Sequence, residues 1–107
     1  MNEHLLNKLS KIKIVVSDVD GILTDGTIIV SKNQEFKTFH VEDALGTRLL
    51  ELADIPVAFI SARKSEATSV RLNELKIKDV YQGYLNKLHA LDKILEKHKV
   101  KKEHVLY

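Results

Sequence analysis

Cysteine is absent from the 107 residues, which excludes disulfide and thiolate-metal frameworks and fits a reducing cytosol. His4, His40, His89, His98 and His104 are scattered without ligand spacing, so a zinc site is not expected either. No apolar run approaches a membrane span: the uninterrupted stretch Ile55 to Ile60 is far below the roughly 20 residues required. Residues 1–13 are polar with scattered leucines and lack the apolar core and cleavage pattern of a signal peptide. An excess of one charge is missing as well. Basic residues number 17 and acidic residues 15, mixed along the chain to a net +2, so no basic stripe argues for nucleic acid. There is no internal repeat, low-complexity tract or linker. With 44% hydrophobic residues the chain is expected to bury one core as a single soluble cytoplasmic domain, with no nucleic-acid or membrane partner.

What is present alternates. Ile12, Ile14, Val15 and Val16 form one β-branched run, and Pro56 to Ile60 forms another, with the only proline at the strand entrance, where its missing donor is tolerated. Both runs are nearly continuous in apolar character, as in strands covered on two faces of a parallel sheet. A third short strand is expected around Lys78 to Tyr81. Leu45, Leu49, Leu52 and Ala53 fall on one helical stripe, Leu88, Leu91 and Leu95 on another, and Lys64 to Leu75 is helical with a weaker stripe. This order predicts an α/β fold whose reactive groups collect at the carboxyl ends of the strands. Thr27 to Val30 and Phe36 to Phe39, around the polar turn Ser31 to Gln34, read instead as a projecting β-hairpin, either a solvated edge or an assembly surface.

The chemistry concentrates where the first strand ends, in Ser17-Asp-Val-Asp-Gly-Ile-Leu-Thr-Asp-Gly26. A carboxylate attacking phosphorus needs a cation to offset repulsion from the phosphoryl oxygens, and a second acid to protonate the leaving oxygen. Asp18 and Asp20 can divide those roles, although Asp20-Gly21 also suits a plain turn. Ser61 follows an apolar strand and precedes a helix, where its hydroxyl can hold a phosphate oxygen or cap that helix. Lys87 falls after Asn86 at a helix start, where a cation opposes the helix dipole and is better explained if an anion is nearby.

Taken in order, these motifs resemble those of the haloacid dehalogenase superfamily of phosphotransferases, in its capless branch of sugar-phosphate phosphatases acting on 3-deoxy-D-manno-octulosonate 8-phosphate. The resemblance runs from about Lys11 to Tyr107 and includes Asp18 to Gly26, Phe39-His-Val-Glu-Asp43 with Gly46, Ile60-Ser-Ala-Arg-Lys-Ser65, and Tyr81-Gln-Gly83 with Asn86-Lys87. It implies a parallel-sheet, Rossmann-like haloacid dehalogenase core over residues 1–107, with no cap domain. It implies Asp18 as the nucleophile that becomes an aspartyl phosphate and Asp20 as acid and base. Magnesium would be held by the Asp18 side chain and the Asp20 backbone carbonyl, and Ser61 and Lys87 would hold the phosphoryl group, Lys87 also supporting the charge on Asp18. Substrate contacts would come from Asp20, His40, Val41, Glu42, Asp43, Ala44, Arg48, Arg63, Arg71 and Lys87, the arginines suiting the carboxylate of an acidic sugar. A homotetramer with central hairpins, each copy helping to close its neighbour's site, is also implied.

Three departures qualify the resemblance. The family's Asn-Val-Arg-Asp-Gly is here His40-Val-Glu-Asp-Ala44, which leaves a related nonulosonate phosphate open as substrate, and Ala62 replaces a glycine of the second motif. The fourth motif, an aspartate pair that adds a magnesium ligand, is not reached before Tyr107, so the domain is expected to be incomplete at its carboxyl end. An inert binding or assembly module of the same fold is therefore the main rival. A response-regulator receiver is the weaker one, because its phosphoacceptor ends a middle strand, whereas Asp54 precedes a strand.

Overall fold

A computed structural model describes residues 3, 10–40 and 42–107, without the side chains of Thr27, Glu42 and Asp43. In chain order the elements are β1 (Ile14–Asp18), β2 (Thr24–Val30), β3 (Glu35–Phe39), α1 (Glu42–Leu52), β4 (Val57–Ser61), α2 (Glu66–Glu74), β5 (Asp79–Gln82), α3 (Lys87–His98), a 3-10 turn at Lys102–His104 and β6 (Val105–Leu106). Four strands form one sheet in the order β5-β4-β1-β6, every pairing parallel. The register sets Asp18 opposite Ile60 and Ser61 opposite Gln82, so the strand carrying the acidic motif and the strand carrying Ser61 end side by side.

Helices cover both faces of the sheet, as the continuous apolar strands require. On one face Ile14, Val16, Ala58 and Ile60 pack with Ala90 and Ile94 of α3, all six buried. On the other, Phe59 joins Val19, Leu23 and Leu72 of α2. The expected stripe of α3 needs rotating: Ala90, Ile94 and Leu95 are buried, whereas Leu88 is 68% exposed. The reason is the helix start, which lies at the carboxyl end of the sheet beside Asp18, so its first turn has little strand to lie upon.

Helix α1 differs more. Leu45, Leu49 and Leu52, predicted as its buried stripe, are 65%, 56% and 66% exposed, and Ala44, Thr47 and Leu50 are the residues turned part-way inward. Strands β2 and β3 form a separate antiparallel sheet. Their turn is closed by Ser31 N–H donating to the Gln34 carbonyl at 2.8 Å and Gln34 N–H to Ser31 Oγ at 3.1 Å. Ile29, Val30 and Phe36 of this hairpin are also more than half exposed. Among the described residues no helix is long and apolar enough to cross a membrane.

Candidate active site

The acidic loop is fixed from below by one buried hydroxyl. Thr24, fully buried, accepts from Gly21 N–H and Gly26 N–H, both at 3.1 Å. Gly21, at φ +80°, reverses the chain directly after Asp20, a conformation that side-chain-bearing residues rarely adopt. The reversal leaves Asp18 and Asp20 at the carboxyl end of β1, as the sequence predicts.

Lys87 is the first residue of α3, behind the N-cap Asn86, whose Oδ1 accepts from Leu88 N–H and His89 N–H. Its ammonium donates to Asp18 Oδ1 at 2.8 Å, and Tyr107 Oη donates to the same oxygen at 2.7 Å. The anion that explains a lysine at a helix start is thus Asp18 itself. Burial pushes the Asp18 carboxyl up, but hydrogen bonds from Lys87 and Tyr107, with the charge on Lys87, outweigh it and hold the pKa below the usual 3.8. Tyr107 moves the other way, to about 12, through burial and then its bond to Asp18 and that residue's charge. The result is an ionised, oriented carboxylate.

Ser61, 4% exposed, is the last residue of β4, with Oγ accepting from Arg63 N–H at 3.3 Å. The helix-cap alternative for Ser61 is excluded, since α2 is capped by Ser65, whose Oγ accepts from Thr68 N–H. Asp20 has a partner that the sequence reading missed: Lys37 Nζ donates to Asp20 Oδ1 at 2.8 Å. The arginines are dispersed. Arg63 donates to Glu35 Oε2 at 2.7 Å, Arg48 pairs with Glu51 one helical turn away on α1, and Arg71 lines a groove of about 610 Å³ between β3 and α2. His40 lies just past β3, its N–H bonded to the Leu23 carbonyl at 2.9 Å, and Ala44 is half-buried on α1. Val41 and the side chains of Glu42 and Asp43 lie outside the described residues.

The donor set suits a hard cation. Lys87 and Tyr107 both donate to Asp18 Oδ1 rather than Oδ2, and the turn's own bonds go to another carbonyl than that of Asp20, since Ile22 N–H and Leu23 N–H both donate to the Val19 carbonyl. One carboxylate and one carbonyl are hard oxygen donors of the kind magnesium takes, and they leave positions for a further carboxylate, phosphate and water.

The fold that carries these residues has known counterparts. A Legionella pneumophila structure assigned to the HAD superfamily, subfamily III A, superposes with a TM-score of 0.90 at 33% identity over 96% of this chain and 57% of its own. The chain has the haloacid dehalogenase fold. It is 39% identical over its full length to the 3-deoxy-D-manno-octulosonate 8-phosphate phosphatase KdsC of Escherichia coli K12, and 38% identical to that of Salmonella typhi, and spans 57% of either relative. A Moraxella catarrhalis phosphatase of the same name, solved with magnesium, phosphate and a KDO molecule, matches with a TM-score of 0.89 at 36% identity, over 98% of this chain and 61% of its own. A cobalt-bound Haemophilus influenzae phosphatase matches with a TM-score of 0.86 at 41% identity, over 92% of this chain and 58% of its own. No family model matches the chain. Among the described residues the β2–β3 hairpin is the segment between β1 and α1.

Proposed function

We propose that the protein is a magnesium-dependent phosphatase for an anionic sugar phosphate, most specifically 3-deoxy-D-manno-octulosonate 8-phosphate. The observation that carries this reading is the contact of Lys87 with Asp18, which joins a carboxylate ionised below its usual pKa to a cation able to meet a phosphoryl oxygen. Similarity to the KdsC phosphatases supports the substrate class.

In this reading an Asp18 oxygen attacks phosphorus, the bond from phosphorus to the sugar oxygen breaks, and Asp20 gives that oxygen its proton. Asp20 then takes a proton from water as the water oxygen attacks phosphorus. The bond to Asp18 breaks, which frees phosphate and restores the carboxylate. Magnesium, bound at Asp18 and the Asp20 carbonyl, would reduce the repulsion between carboxylate and phosphate. Ser61 and Lys87 hold phosphoryl oxygens, and preorganised donors of this kind usually supply the largest part of the rate.

The test uses the full-length protein. Release of phosphate from 3-deoxy-D-manno-octulosonate 8-phosphate is expected with magnesium, to be lost with a chelator and restored by added metal. Absence of release under all conditions would favour the inert module, and preference for a nonulosonate phosphate would point to the acidic Glu42 as a specificity change.

Assembly belongs to the same proposal. The exposed Leu45, Leu49 and Leu52 of α1, with Ile29, Val30 and Phe36 of the hairpin, form apolar surface of the kind that a second copy covers. Sedimentation is expected to give a tetramer, and Leu49→Glu a smaller species. A monomeric wild type would remove this part of the reading.

A further inference from the structure

Lys37 is the residue whose environment asks most for an explanation. It lies on β3, where Glu35, Lys37 and Phe39 alternate inward, and its side chain is 0% exposed. A lysine is almost never fully buried unless it is paired. Its ammonium donates to Asp20 Oδ1 at 2.8 Å and to Thr68 Oγ1 at 3.3 Å, and Glu35 Oε1 stands 3.9 Å away. Thr68 is itself fully buried on α2, and Glu35 Oε1 is buried with no hydrogen-bond partner among the described residues. Glu35 is held from its other oxygen by Arg63 at 2.7 Å. The cation is therefore fixed by three elements, and Asp20 is the most exposed of its anchors, its side chain 36% open.

We infer that Lys37 is a positioning residue for Asp20, selecting which carboxyl oxygen handles the proton. An ammonium has donors only, so the oxygen it holds, Oδ1, is an acceptor throughout. The proton that Asp20 passes to the leaving oxygen must then sit on Oδ2. With Lys37 anchored to Thr68, Oδ2 is held in one direction and does not interchange with Oδ1 by rotation. The inference rests on the phosphatase reading above and deepens it. It assigns the inner face of the hairpin to leaving-group protonation.

The consequence is selective. A sugar alkoxide must be protonated as it departs, whereas p-nitrophenolate leaves without help. Parameters are compared through kcat/KM, which ends at departure of the leaving group and omits the later hydrolysis of the aspartyl phosphate. In the full-length protein Lys37→Met is expected to lower kcat/KM for the sugar phosphate by about 10²-fold, the order lost when a catalytic group is misplaced. For p-nitrophenyl phosphate it should fall less than about threefold. Thr68→Val, which removes one anchor and conserves the shape of the side chain, should shift the same ratio in the same direction by less, and serves if Lys37→Met does not fold by thermal denaturation. Equal losses on both esters, or none on either, would overturn the inference and leave the phosphatase reading standing. If wild type hydrolyses neither ester, the phosphatase reading fails and this inference fails with it.

Discussion

Asp18→Asn in the full-length protein is expected to lower phosphate-ester turnover by roughly 10⁴-fold or more, the order seen when a covalent nucleophile is removed. The substitution keeps size and shape but removes the charge that draws Lys87 and Tyr107 to one oxygen. An amide is also a poor nucleophile toward phosphorus, and a weaker ligand for a hard cation. Folding should survive, since the carboxyl group is partly open to solvent, at 32% side-chain exposure. The pH dependence of stability provides an independent check. Because the folded pKa of Asp18 lies below 3.8, its contribution is present above 3.8 and is lost as pH falls through the lowered value. Thermal unfolding of Asp18→Asn should lack that part of the acid-side decline. Turnover within tenfold of wild type would place the nucleophile elsewhere.

Ile94→Ala is expected to have the largest effect on stability, a loss of about 2–5 kcal/mol. Ile94 is fully buried and belongs to the cluster of Ile14, Val16, Ala58, Ile60 and Ala90 that fastens α3 to the sheet. Native domains have only about 5–15 kcal/mol in hand, so the urea midpoint should move visibly. The site should feel it too. Lys87 reaches Asp18 only because α3 is docked at the end of β1, and a loosened helix should weaken the hold on phosphate. Leu88→Ala, on the same helix but 68% exposed, should cost under about 0.5 kcal/mol in the isolated chain. Equal losses at the two positions would contradict the packing described for this helix.

Strand positions were legible because burial on two faces leaves a continuous apolar signature. The run Pro56 to Ile60 became β4 at Val57–Ser61, and the run Lys78 to Tyr81 became β5 at Asp79–Gln82, each displaced by one residue. The hairpin, the turn at Ser31 to Gln34 and the start of α3 behind Asn86 were likewise readable, since turn and cap chemistry is local. Local pattern alone read Lys87 only as needing some anion, because it lies 69 positions from Asp18; the pairing of the two came from the family resemblance. Lys37 was not foreseen. Its partners Asp20 and Thr68 are 17 and 31 residues away, and an alternating Glu35, Lys37, Phe39 pattern reads equally well as a wet strand face. Arg63 presents the same difficulty: its guanidinium suits a sugar carboxylate, yet in the folded chain it engages Glu35, 28 residues away. Leu45, Leu49 and Leu52 show the converse, a periodicity that marks a sticky face without saying whether its cover lies in the same chain.

That open leucine face on α1 has a consequence for handling the protein. If copies cover it for one another, association and folding are linked by mass action. The apparent melting temperature and the specific activity would then both rise with protein concentration, and a dilute assay would sample a different species from a concentrated one.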